Sequence, residues 1–195
     1  MESKKRLDVM VDIETLGVKA NSTIFQISAA AFDIETGNVT SECNFVADIE
    51  ESDNLVVDGS TLKWWLNTDA ELFKRLLNGG TRSPEMLIKA FHMWLERLTL
   101  KYDVRLWGNG MLFDNNMLKT QIEAAGLKYP IAYNRDRDVR TIVELAAEVS
   151  GISERQIKTM HKKPTAIKHD AYDDVHTQIR YVTWCYQILT RTPAH

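Results

Sequence analysis

Apolar positions change period along this chain, from two in its first quarter to between three and four later. The run Leu7-Asp8-Val9-Met10-Val11-Asp12-Ile13-Glu14 predicts a strand over residues 7–13. Further apolar stretches predict strands over 23–34 and 39–47, with Gly37-Asn38 as the turn of a hairpin. Helical spacing follows over 60–66, 69–77 and 84–98, the last opened by Ser83-Pro84-Glu85. Val104-Arg105-Leu106-Trp107 reads as a buried strand over 103–107, broken by Gly108-Asn109-Gly110. Leu112, Met117, Leu118, Ile122 and Ala125 predict a helix over 111–125 that closes at Gly126. A short strand at 130–133 and helices over 139–150 and 171–190 complete the pattern, the last carrying Val175, Ile179, Val182 and Tyr186 on one side. Three strands followed by alternating helices and strands predict an α/β class, a mixed central sheet flanked by helices. No repeat, low-complexity tract or linker divides the chain, so its 195 residues read as a single domain with room for a sizeable core.

Acidic residues stand where these elements end. On a strand, positions i and i+2 share a face, so Asp12 and Glu14 leave the first strand together. Two carboxylates that close together do not both stay ionised without a cation, and hard divalent ions would resolve the repulsion and clamp a phosphate. Taken alone, the pair also fits a solvated strand end. Asp114 falls just after a strand–glycine break, where open α/β sheets place their sites, although the helix dipole by itself favours an acid there. His169 and Asp174 are five apart, ~140° around a helix. They converge if His169 lies on the loop and Asp174 on the first helical turn, with small Ala171 letting that turn pack closely. Asp170 and Asp173 compete with Asp174 for the acidic role.

Together, Asp12-Ile-Glu14-Thr15, Asn109-x-x-x-Phe113-Asp114 and His169-x-Ala171-x-x-Asp174 resemble the three motifs of the DEDDh 3′→5′ exonucleases. That family includes ribonuclease T, oligoribonuclease and the proofreading subunits of bacterial replicases. Thr61-Leu62-Lys63-Trp64-Trp65-Leu66 and Arg137-Asp138-Val139-Arg140-Thr141 look closest to its phage and prophage DexA-like members. The resemblance implies a ribonuclease H-like fold. It also implies a phosphodiesterase with two Mg²⁺ or Mn²⁺ ions held by Asp12, Glu14, Asp114 and Asp174, and His169 as the general base. By the same resemblance Thr15, Leu16, Asn109 and Phe113 approach the 3′-terminal nucleotide, Asp174 is favoured over its acidic neighbours, and nucleoside 5′-monophosphates are released from single-stranded DNA or RNA. An imidazole suits the base role because its ordinary pKa is ~6.5, near working pH.

Composition adjusts this picture in one respect. A net charge of −3 argues against a nucleic-acid partner, yet 27 acids less the four candidate ligands leave 23 against 24 basic residues. Outside the site the surface is near neutral, which suits a grip on a few terminal nucleotides better than a coat for long duplexes. No apolar run approaches the ~20 residues of a membrane span. The start lacks the apolar core of a signal peptide, and Cys43 and Cys185 lack metal-ligand spacing. A cytoplasmic protein with reduced thiols is expected.

Several secondary features keep two readings. Arg155, Lys158, His161, Lys162, Lys163 and Lys168 form a run without an acid immediately before His169. It reads either as a loop that guides the substrate, with Lys162 and Lys163 on phosphates, or as a solvated surface. Trp64 and Trp65 are ~100° apart on a helix, so one stacks on a base or both serve the core unequally. Arg137 and Arg140 reach phosphate or make ion pairs at a helix start. The expected partners are single-stranded 3′ ends, with no membrane and with a homodimer left open. Two other functions remain at this point: a catalytically silent nucleic-acid-binding module, which should have lost a ligand or the histidine, and an endonuclease of related fold, which would cut circular strands.

Overall fold

A computed structural model describes residues 4–191. Its strands are β1 (Arg6–Thr15), β2 (Ile24–Phe32), β3 (Val39–Val46), β4 (Asp103–Gly108) and β5 (Asp136–Asp138). They form one sheet in the order β3-β2-β1-β4-β5. The β1–β2 and β2–β3 pairs are antiparallel, whereas β1–β4 and β4–β5 are parallel. β1 is therefore central, and the carboxyl ends of β1, β4 and β5 open on the same edge of the sheet.

The helices are α1 (Gly59–Asn78), α2 (Pro84–Lys101), α3 (Asp114–Ala124), α4 (Val139–Ser150), α5 (Glu154–Met160) and α6 (Ala171–Arg191). Strand alternation divides β1 between two cores. Val9, Val11 and Ile13 pack with Trp65, Phe73, Phe91, Leu95 and Leu118 of α1, α2 and α3. Met10 faces the other way, with Ala30, Phe32, Val143, Val175, Ile179 and Val182 under α4 and α6. The same alternation sends Asp12 and Glu14 to the α6 side. No helix among the described residues is long and apolar enough to cross a membrane.

Three expectations shift. The strand expected at 130–133 is a loop, and β5 lies downstream, pairing Asp136–Asp138 with Leu106–Gly108. Tyr129 and Ile131 are apolar because they plug the core from that loop, while β5 is held by backbone pairing and by hydrogen bonds to the Asp136 and Asp138 side chains. The helices expected at 60–66 and 69–77 run on as α1, broken at Asp69 (φ −156°, ψ 82°), whose carboxylate accepts from Leu72 N at 2.9 Å and caps the second half. Part of the basic run is helical: α5 starts at a capping box in which Ser153 and Gln156 satisfy each other's backbone N–H groups.

Candidate active site

Each element delivers its side chain for a local reason. Glu14 sits two residues after Asp12 and just before a register shift, at the end of β1. Asp114 is the first residue of α3, brought against β4 because Gly108 has no side chain: a Cβ there would stand 2.5 Å from Asn115 Oδ1 and 3.2 Å from Asp114 Cβ. Gly110, at φ +114°, makes the intervening turn that L side chains rarely adopt. Asn115 locks the junction by donating to Leu106 O and Asp136 Oδ1.

His169 lies on the loop before α6, in the left-handed region at φ 67°. Its backbone N–H donates to Asp174 Oδ2 at 3.1 Å, which joins the two residues that sequence spacing placed apart. The neighbouring acids have other partners. Asp170 accepts from Gln26 Nε2 at 3.1 Å and pairs with Arg75 at 2.9 Å, while Asp173 accepts from Ile167 N at 2.8 Å. Both hold the loop in shape, and Asp174 is left facing the site.

Asp12, Glu14, Asp114, His169 and Asp174 line one cavity of about 420 Å³, with Ile13, Asn109, Phe113, Lys158, Lys162, Lys168, Thr177, Gln178 and Tyr181. Ligand atoms of Glu14, His169 and Asp174 lie within 4.8 Å of one another. Burial, then the repulsion of Asp114 and Asp174, pushes the Asp12 carboxyl well above its ordinary range. Glu14 rises for the same reasons, burial first and then Asp12 and Asp174. Burial raises Asp114 to about 7 against the opposing pull of its own and Ile13's backbone N–H groups. Asp174 rises by burial, opposed by the His169 N–H. No lysine or arginine forms an ion pair with these four among the described residues. Acid oxygens converging without a cation are the donor set that hard divalent ions take, so the site fits such metals.

A second, more apolar cavity of about 480 Å³ adjoins this one, lined by Ile13, Glu14, Thr15, Val18, Ser60, Thr61, Trp64, Trp65 and Phe113. Glu14, Ile13 and Phe113 belong to both. Trp65 is core, 1% exposed, and donates from Nε1 to Thr15 O at 3.2 Å; Trp64 is 42% exposed and forms the wall. Leu16 departs from expectation: it is 2% exposed, packed in the core and absent from both cavities. Its side chain packs inward with Ile24, Phe25 and Trp65 of the same core cluster. Lys162 reaches the acidic cavity, but Lys163 lines only the adjoining basic groove with Arg155, Lys158 and Lys168. Arg137 donates to the carbonyls of Asn134 and Asp136, and exposed Arg140 covers Gly110.

Sequence reasoning missed Gln178, which donates from Nε2 to Asp12 Oδ1 at 2.8 Å, and Tyr181. A helical signal was available: Gln178 and Tyr181 lie four and seven residues after Asp174, on its face of α6. Lys158 and Lys168 were seen only as part of the basic run.

The profile of the 3′-5′ exoribonuclease Rv2179c-like domain family matches residues 7–186. The chain belongs to this family. No curated protein sequence matches it. Among solved structures similar to this exoribonuclease-family chain is E. coli exonuclease I in complex with a 5cy-dT13 oligonucleotide, at 17% identity and TM-score 0.67, covering 97% of this chain and 42% of that one. The nuclease domain of 3′hExo, a DEDDh family member bound to rAMP, matches at 16% identity and TM-score 0.60, over 93% of this chain and 92% of that one. Cell-death related nuclease 4 (CRN-4) matches at 14% identity and TM-score 0.65, over 97% and 66%. The family member described here thus spans about two fifths of exonuclease I and has the mixed-sheet, ribonuclease H-like fold of the DEDDh exonucleases.

Proposed function

We propose that the protein is a divalent-metal-dependent 3′→5′ exonuclease that removes nucleoside 5′-monophosphates from single-stranded ends. One observation carries this reading: Asp12, Glu14, Asp114, His169 and Asp174, from three separate stretches of sequence, line a single cavity. The family's description as exoribonucleases favours RNA. The segments Thr61–Leu66 and Arg137–Thr141 favour a DexA-like subgroup within the superfamily.

Asp12, Glu14, Asp114 and Asp174 would hold two Mg²⁺ or Mn²⁺ ions, which when bound neutralise phosphate charge and make a water more acidic. The chain's own groups do the rest. Burial, with Lys168 and Lys162 nearby, lowers the His169 pKa and keeps its ring neutral and able to take a proton from the attacking water. Gln178 holds Asp12 in orientation. Lys158, Lys162 and Lys168 offer positive charge to the strand beside the scissile bond. The apolar cavity between Trp64, Val18 and Phe113 suits the terminal base.

Matched RNA and DNA oligomers, labelled at the 5′ end, test the reading. Shortening from the 3′ end should require Mg²⁺ or Mn²⁺, stop in chelator and be faster on RNA, while circular strands survive. His169→Ala should lower kcat by ~10²–10⁴ and remove the acidic limb of the pH–rate profile, which in the wild type lies below ~6.5. Turnover in excess chelator, or cleavage of circles, would overturn it.

A further inference from the structure

We infer that Trp64 is a positioning residue: a base seated in the apolar cavity presses on Trp64, and Trp64 in turn sets the orientation of His169. The inference rests on the exonuclease reading above and goes beyond it, because it makes the presence of a terminal base a condition for fast turnover as well as for binding.

An imidazole base is ordinarily oriented by a hydrogen bond to its second ring nitrogen. Among the described residues the His169 ring has no such bond; only its backbone N–H is engaged, by Asp174. A ring nitrogen stands within 4.8 Å of Glu14 and Asp174 carboxylate oxygens, and two tryptophans flank the ring. Trp64 meets it edge-to-face with centroids 4.8 Å apart and planes at 79°, and Trp65 stands farther off at 6.3 Å. The left-handed backbone at φ 67° fixes where the side chain departs and leaves its rotation to these neighbours.

Trp64 is held firmly on one side only. Trp65 meets it at 5.1 Å and 76°, and Trp65 is itself stacked on Phe73 at 5.1 Å and bonded to Thr15 O. The opposite side, toward Val18 and Phe113, borders the apolar cavity, and the side chain stays 42% exposed there. The cavity gives the indole room to rotate on that side. A stacked base supplies the missing contact, and the indole then braces the imidazole beside Glu14 and Asp174. Edge-to-face and stacked aromatic contacts each hold with a strength that amounts to roughly two- to tenfold in a rate or equilibrium.

The test compares two oligomers that differ only at the 3′ end, one ending in an ordinary nucleotide and one in an abasic residue, for wild type, Trp64→Phe and Trp64→Leu. In the wild type the abasic end should lower kcat about tenfold as well as raise KM. Trp64→Leu should lower kcat on the ordinary end by a similar factor and abolish the kcat difference between the two ends. Trp64→Phe, which keeps an aromatic edge, should restore most of both. An abasic end that raises KM with kcat intact would overturn the inference and leave Trp64 as a wall of the binding cavity. So would a Trp64→Leu enzyme that keeps the full abasic penalty. Failure of the wild type to shorten ordinary 3′ ends would instead sink the exonuclease reading itself.

Discussion

Among the side chains of the site, the four carboxyls are the protein's main electrostatic liability without metal, and this gives a stability signature. Burial raises Asp12, Glu14, Asp114 and Asp174 in the folded chain, Asp114 to about 7, and repulsion from the acids around them adds to the rise of Asp12 and Glu14. Unfolded, such groups titrate near ~4. Between those limits the folded state holds more protons than the unfolded one, so stability is full below the unfolded pKa and is lost as pH rises through the folded values. The melting temperature of chelated protein should therefore fall between pH 5 and pH 8. Mg²⁺ or Mn²⁺, which bind deprotonated carboxylates, should raise it much more at pH 8 than at pH 5. Asp12→Asn keeps an acceptor for Gln178 and should flatten the fall. A chelated protein that melts at the same temperature across this range would show that the cluster carries no such strain.

Among the elements, α5 and the loop after it would, on the proposed reading, decide how a strand enters. Lys158 and Lys162 line both the acidic cavity and the basic groove beside it, whereas Lys163 lines the groove alone. Replacing Lys158 and Lys162 by Ala should make the salt dependence of strand binding shallower by one to two ions, at about 0.7 per phosphate. It should raise KM more for long oligomers than for a dinucleotide; an equal rise for both would place the lysines at the scissile phosphate only. The sequence announced the five core residues and most elements because both rest on local signals: strand alternation at Asp12 and Glu14, the glycine break before Asp114, the His169–Asp174 spacing. It hid what depends on tertiary partners. β5 is three polar residues paired through their backbone, and Leu16 reads like a ligand contact until the chain's turn buries it. Asp170 and Asp173 competed with Asp174, which only the family resemblance favoured, until Arg75, Gln26 and Ile167 occupied them.

On the scale of the whole molecule, the site joins chain segments that are far apart in sequence. The loop that carries His169 is tied to β2 through Gln26 and Asp170, a separation of 144 residues, and to α1 through Arg75, a separation of 95. Closing such long loops is slow compared with forming the β1–β2–β3 hairpins. After dilution from denaturant, tryptophan fluorescence should recover before nuclease activity, and Arg75→Ala should widen the lag; simultaneous recovery would contradict this order. The tether to Asp170 also has a consequence during synthesis. Asp12, Glu14 and Asp114 leave the ribosome long before His169 and Asp174, and α6 must dock before the latter two meet them. On the proposed exonuclease reading, a nascent chain therefore stays chemically silent toward the message it is being read from until α6 has been made.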